Sequence, residues 1–192
     1  TTDATYGVYR HGAYGLELTG LQAWVGTTGN TIGGIDRSTA DWFNPIVMTN
    51  GGTLRSISQD LMQQAIDECD IRGMGKTDLI LTTHGIRRKY TAAEMTRVRH
   101  VDEMELDGGQ KAVAFGGIPL VVDNLADKNG LYFLDLSTFE LNQYGDMDWM
   151  DRDGSILKHK AGFPIYTAVM QWFAELTCDK PAANVWLGDI TE

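Results

Sequence analysis

The chain has 192 residues, with 16 Lys and Arg against 26 Asp and Glu and a formal net charge of −10 at pH 7. An apolar share of 43% with 22% charged residues excludes a disordered or low-complexity chain, and a chain of this length buries about 70% of its unfolded surface without needing disulfide or metal staples. No stretch approaches about eighteen uninterrupted apolar residues, so no membrane span is expected; so acidic a chain also lacks the Lys and Arg that would displace counterions from a phosphate backbone, which argues against sequence-specific nucleic-acid recognition.

In chain order, Thr1-Thr2-Asp3 shows no basic n-region or apolar h-region of a signal peptide and reads as an internal start. Eight glycines fall between Gly7 and Gly34, a density that raises the entropic cost of regular structure, so residues 1–44 should form loops and short strands. Leu54, Ile57, Leu61, Ala65 and Cys69 recur at three- and four-residue steps, which predicts a helix over 53–72 with Thr53 as its N-cap and Gly73 and Gly75 as its stop. Asp78 to Thr82 reads as a strand. Thr83 then caps a shorter helix that carries Ile86 and Tyr90 on one side and Arg87, Arg88 and Lys89 between them.

The pattern turns to β from residue 108 to 141. Lys111–Phe115, Ile118–Val122 and Leu131–Leu136 are short apolar or alternating runs, broken by Gly116-Gly117 and by Asp127-Lys128-Asn129-Gly130. A last long helix is predicted over 162–177 because Phe163, Tyr166, Val169, Met170, Phe173 and Leu176 share one stripe; its burial would contribute roughly 9–18 kcal/mol before entropy is subtracted. Asn184 to Ile190, after Pro181, reads as a closing strand. Helices and strands interleave without regular βαβ phrasing, so the predicted class is α+β. Cys69 and Cys178 lie far apart inside apolar-periodic segments, as buried thiols do rather than members of a disulfide framework.

Few residues carry the spacing of a catalytic or metal site. His11, His84, His100 and His159 are scattered, without the spacing a zinc site needs. Asp146, Asp148, Asp151 and Asp153 form the sharpest candidate for a cation site. Counted from Asp146 or from Asp151, however, the run lacks the glycine and the terminal acid of a calcium loop, so a surface turn anchored inward by Trp149 is the expectation. Gly73-Met74-Gly75-Lys76-Thr77 ends like a phosphate loop but lacks the earlier glycine and follows a helix, the reverse of the required order. No Gly-x-Ser-x-Gly elbow occurs. Arg87-Arg88-Lys89 with Arg97 and Arg99 is the only basic concentration and reads as a solvated helix face. No residue is assigned a catalytic, metal-binding or cofactor-binding role. Five tryptophans and seven tyrosines point instead to contact surfaces, with Trp172 and Trp186 expected in the core.

The order of segments resembles the C-terminal part of the major capsid proteins of tailed bacteriophages, the Hong Kong 97-type fold. The resemblance rests on Gly15-Leu16-Glu17-Leu18-Thr19-Gly20-Leu21, on Gly33-Gly34-Ile35-Asp36-Arg37-Ser38 followed by Trp42 and Asn44, and on the helix–strand–helix order from 53 to Tyr90. Phe115-Gly116-Gly117-Ile118-Pro119-Leu120-Val121-Val122-Asp123, Leu131 to Asp135, Asp148 to Ser155 and Pro181 to Ile190 follow in the family's order. The family's N-terminal arm, extended loop and most of its spine helix would precede Thr1.

The resemblance implies a non-enzymatic structural subunit. Residues 1–43 would be a peripheral-domain remnant and Gly-rich lead-in, 44–177 the axial domain, and 178–192 a terminal strand returning to the peripheral domain. It implies no cofactor, and partners that are copies of the same chain in pentamers and hexamers, with scaffolding, portal or cement proteins besides. It also implies non-specific contact with packaged DNA, no membrane, and a place in the virion after assembly in the host cytoplasm. Trp24, Trp42, Asp148 and Asp151 are the expected assembly contacts. The rival readings are an encapsulin-type nanocompartment shell, a small metal-dependent hydrolase using the acidic cluster, and a soluble binding module.

Overall fold

A computed structural model describes residues 18–97, 103–105, 111–151 and 153–192. The candidates His11, Arg99, His100 and Arg152, and the start of the Gly15–Leu21 motif, lie outside the described residues. The first helix, α1 (Leu21–Val25), leads into a tight hairpin of β1 (Thr31–Ile32) and β2 (Ile35–Asp36), a 3₁₀ turn at Asp41–Phe43 and β3 (Ile46–Met48). Helix α2 (Gln59–Gly73), β4 (Leu79–Thr82) and α3 (His84–Arg97) follow. After them come β5 (Glu103–Glu105), β6 (Lys111–Phe115), β7 (Ile118–Val122) and β8 (Leu131–Leu134). A run of paired strands fills 139–178, and β15 (Val185–Leu187) closes the described chain.

Seven of these strands form one mixed sheet in the order β3-β15-β8-β4-β7-β6-β5, with β4 at its centre. Side chains alternate across a strand, and the register turns that alternation into two apolar rows. Val113, Leu120, Ile80, Phe133, Val185 and Ile46 stand opposite one another across six strands and pack with Met62, Ala65 and Cys69 of α2 and Ile86 and Tyr90 of α3. Val121, Leu81, Tyr132 and Trp186 form the opposite row and pack against Leu21, Trp24, Val25, Ile32 and Phe43 of the lead-in. The sheet is therefore covered on both faces, which explains why β8, Leu-Tyr-Phe-Leu, is buried at every position.

Helix α2 starts later than Thr53. Residues 53–58 are committed elsewhere: the Arg55 N–H donates to the Asp189 carbonyl at 2.7 Å, the Thr191 N–H donates to the Arg55 carbonyl at 2.9 Å, and the Ser58 hydroxyl caps the helix by accepting from the Leu61 N–H at 3.2 Å. Its end also differs. Met74 takes the left-handed position (φ 45°), and its N–H and that of Gly75 close back on the Asp70 and Cys69 carbonyls. The two glycines act as spacers, since a Cβ on Gly73 would lie 2.3 Å from the Ala182 carbonyl oxygen and one on Gly75 would lie 2.6 Å from the Ala183 Cβ. Helix α3 runs on to Arg97, well past Tyr90.

The largest departure is at 162–177, where no helix forms. The segment builds β12 (Tyr166–Thr167), β13 (Met170–Gln171) and β14 (Ala174–Cys178). Pro164 and the β-branched and aromatic residues around it suit extended backbone, and the partner strands supply the hydrogen bonds a helix would have made internally. The lead-in covers one sheet face, and β15 is hydrogen-bonded between β3 and β8.

One buried cation holds the lead-in in place. Arg37 is fully buried, and its Nη1 donates to the Ala23 and Thr27 carbonyls and to Asn30 Oδ1, while Nη2 donates to the Trp24 carbonyl. Its guanidinium also lies 5.6 Å from the Trp24 ring centre and 5.4 Å from that of Phe43. Acceptors at the end of α1 suit a cation there, although burial pushes the Arg37 pKa down. Arg37→Met should leave those carbonyls without a buried donor, at a penalty of about 2–4 kcal/mol in denaturant unfolding. Arg37→Lys, which loses the planar fork, should restore less than half of it.

Candidate functional site

Residues 139–178 form one long antiparallel arm. β9 (Phe139–Gln143) pairs with β14 over five positions, from Phe139 opposite Cys178 to Gln143 opposite Ala174. Farther out, β10 (Asp148–Trp149) pairs with β13, and β11 (Lys158–His159) pairs with β12. The Tyr144 N–H donates to the Phe173 carbonyl at 3.0 Å, the Met150 N–H to the Val169 carbonyl at 2.8 Å and the Lys160 N–H to the Ile165 carbonyl at 3.1 Å, which carries the pairing toward the tip.

The arm is fixed at its root by a buried polar hub. Asn184 is fully buried; its Nδ2 donates to the Thr138 hydroxyl at 3.1 Å and the Lys180 carbonyl at 3.3 Å, while its Oδ1 accepts from the Asp135 N–H at 2.9 Å. The Asp135 carboxylate in turn accepts from the Ser137 and Lys76 N–H groups, turning the chain from β8 into β9. Cys178 and Cys69 are free and buried. Burial pushes the Cys178 thiol up to about 11 and also raises that of Cys69. The lead-in braces the same root: Trp24 Nε1 donates to the Leu176 carbonyl at 3.0 Å, and the Thr19 N–H to Glu175 Oε1 at 2.6 Å.

Beyond the root the arm has no apolar cover among the described residues. Of the 17 large hydrophobic side chains exposed among the described residues, 12 lie between Leu141 and Phe173. Five of the six residues of the expected helical stripe, Phe163, Tyr166, Val169, Met170 and Phe173, are exposed, and only Leu176 packs against the core. Trp149 faces Met170 across the ladder and is 44% exposed, so it does not anchor the acidic turn inward. Trp172 is half-buried on the arm, its Nε1 donating to Gln143 Oε1 at 3.3 Å, while Trp186 packs against the second core. Large side chains left in water each forgo on the order of 1 kcal/mol or more of burial energy, and an apolar patch of this extent marks a surface that another body covers.

Of the expected contact residues, Trp42 is 73% exposed, stacked edge-on with Phe43 at 5.4 Å, and Asp148 and Asp151 are exposed on the arm. Trp24 is placed differently. It is 6% exposed inside the second core, because its ring covers Arg37 and its indole N–H reaches the arm root. Residue spacing could not separate Trp24 from Trp42; the short helix that turns Trp24 inward is what does.

No three His, Cys, Asp or Glu side chains converge as metal ligands among the described residues. Asp153 pairs with Lys158 at 2.8 Å, and the Asp148 carboxylate accepts from its neighbour, the Trp149 N–H, at 2.7 Å. His84 is exposed at the start of α3, and His159 meets the Tyr166 ring edge-on at 5.6 Å. Among the described residues no helix is long and apolar enough to cross a membrane. The feature with the clearest chemical character is the uncovered arm, a surface built for contact.

No family model matches the chain, and no curated protein matches it. Solved structures do. The chain is similar to the subunit in the cyanophage A-1(L) capsid asymmetric unit, with a TM-score of 0.72 at 17% identity over 97% of this chain. It spans 64% of that capsid subunit's length. It is also similar to the holo-SrpI encapsulin complex from Synechococcus elongatus PCC 7942, with a TM-score of 0.56 at 12% identity over 76% of this chain and 53% of the other. The chain has the α+β Hong Kong 97-type fold that the capsid subunit shares.

Iodoacetamide at pH 7.5 should leave Cys178 unmodified in the folded protein and label it in denaturant, as read by peptide mass spectrometry. Because the folded thiol titrates near 11 and the unfolded one near 9.0, the unfolded state loses its proton first. Stability should therefore fall as pH rises from 9 to 11, and Cys178→Ala should flatten that fall.

Proposed function

We propose that the chain is a subunit of a self-assembling protein shell, the major capsid subunit of a tailed phage, forming pentamers and hexamers of an icosahedral head around phage DNA. The observation that carries this reading is the uncovered apolar arm on a Hong Kong 97-type fold. The described residues cover the sheet on both faces yet leave the arm exposed, and permanent subunit interfaces are the setting in which such surface is buried. Trp42, exposed on the lead-in, and Asp148 and Asp151 on the arm are the proposed contact residues. On this reading the seven-stranded sheet with α2 and α3 is the axial, ring-forming body. The protein has no catalytic role, and its place is the virion.

An encapsulin-type compartment is the second reading, supported by the likeness to the SrpI shell. The higher score against the cyanophage capsid subunit, over 97% of this chain rather than 76%, favours the phage head.

Electron microscopy and sedimentation of the full-length product decide the matter. Closed polyhedral particles are expected, and a strict monomer at high concentration would overturn the shell reading. Particles from the native source should contain DNA; particles filled with an enzyme instead would move the assignment to the compartment.

A further inference from the structure

The arm is apolar and acidic, and a second surface of the same chain is its complement. Between Glu140 and Glu175 the arm carries six acidic residues against three Lys and Arg, whereas α3, His84 to Arg97, carries four Lys and Arg against one Glu in a chain of net charge −10. His84, Arg87, Arg88, Thr91 and Ala92 line a shallow groove on α3. Arg88 is exposed and Arg87 half-buried, and among the described residues neither guanidinium is in an ion pair. Asp148 and Asp151 on the arm likewise have no cationic partner among the described residues, and Trp149 stands between them.

The topology keeps these two surfaces apart within one copy. β4 and β8 run antiparallel, with Leu79 opposite Leu134 and Leu81 opposite Tyr132. The arm departs just beyond Leu134, at the end of the sheet where β4 begins, while α3 starts at the other end, just beyond Thr82. Two different, complementary surfaces at opposite ends of one chain make a head-to-tail contact between copies, which closes into a ring when the rotation allows.

We propose that the arm of one copy seats Trp149 in the α3 groove of a second copy, with Asp148 and Asp151 set against Arg87 and Arg88. This rests on the shell-subunit reading and specifies one of its contacts. The indole lies against the Arg87 and Arg88 guanidinium groups that line the groove, an arrangement that favours aromatic over aliphatic anchors. The carboxylates on either side set the register and discourage approach by the acidic remainder of the chain.

The test uses the full-length subunit and reads the concentration at which it assembles, by light scattering and sedimentation. Arg88→Glu should raise that threshold about tenfold or more, and Asp148→Lys with Asp151→Lys should do the same. Combining the three should return it to within about threefold of the unaltered protein. A photo-reactive benzoylphenylalanine at position 149, in mixed isotope-labelled and unlabelled subunits, should cross-link to residues 84–92 of another copy. This readout holds even where a charge variant fails to fold. Particles whose threshold ignores the charge reversals, or cross-links that map elsewhere, would remove this contact and leave the shell reading standing. Arg88→Glu particles that assemble normally but lose bound nucleic acid would place α3 against the genome and overturn the docking. A subunit that never associates would sink both.

Discussion

The structure depends on a central sheet that must be covered on both faces. Alternation along β4, β8 and β15 sends Ile80, Phe133 and Val185 to one side and Leu81, Tyr132 and Trp186 to the other. Neither side can face water, so α2 and α3 close one and the Gly-rich lead-in closes the other. Trp186 shows how tightly the layers meet. A Cβ on Gly130 would lie 2.6 Å from its indole nitrogen, and one on Gly188 would lie 2.5 Å from its ring. Glycine is required at both positions by proximity, not by backbone freedom.

Covering the second face with an irregular segment creates its own difficulty, because short helices and turns leave polar backbone groups near the core. Arg37 resolves this by donating to several carbonyls from within, and Trp24 and Phe43 sandwich its charge in aromatic surface. The same Trp24 reaches the root of the arm. The lead-in, the sheet and the arm are thus joined through one buried cluster, and the orientation of the arm follows from it.

The arm inverts the logic of the sheet. Its strands satisfy each other's backbone, so it can extend without a core, but among the described residues nothing covers its apolar side chains. Two-stranded ribbons of this kind are marginal alone. The buried hub at Asn184, Asp135 and Thr138 holds one end, and the outer part stays exposed among the described residues. The fold, shared with a cyanophage capsid subunit, thus combines a sheet covered on both faces with an arm exposed along most of its length.

Composition and pattern alone were enough for the α+β class, for strands read at 78–82, 111–115, 118–122 and 131–136 that form within a residue or two of those bounds, and for a helix ending near Gly73. Those features follow from local periodicity and from charge, which the chain carries in its order. The acidic turn was legible as surface for the same reason. Tertiary structure decided the rest. The stripe from Phe163 to Leu176 satisfies a helical period, yet the segment becomes half of a ribbon because β9, β10 and β11, which precede it in the chain, offer it hydrogen bonds. Trp24 and Trp42 have the same composition around them, and only the packing of α1 on the sheet sends one inward. Burial and strand pairing are set by partners distant along the chain, so no local window contains them.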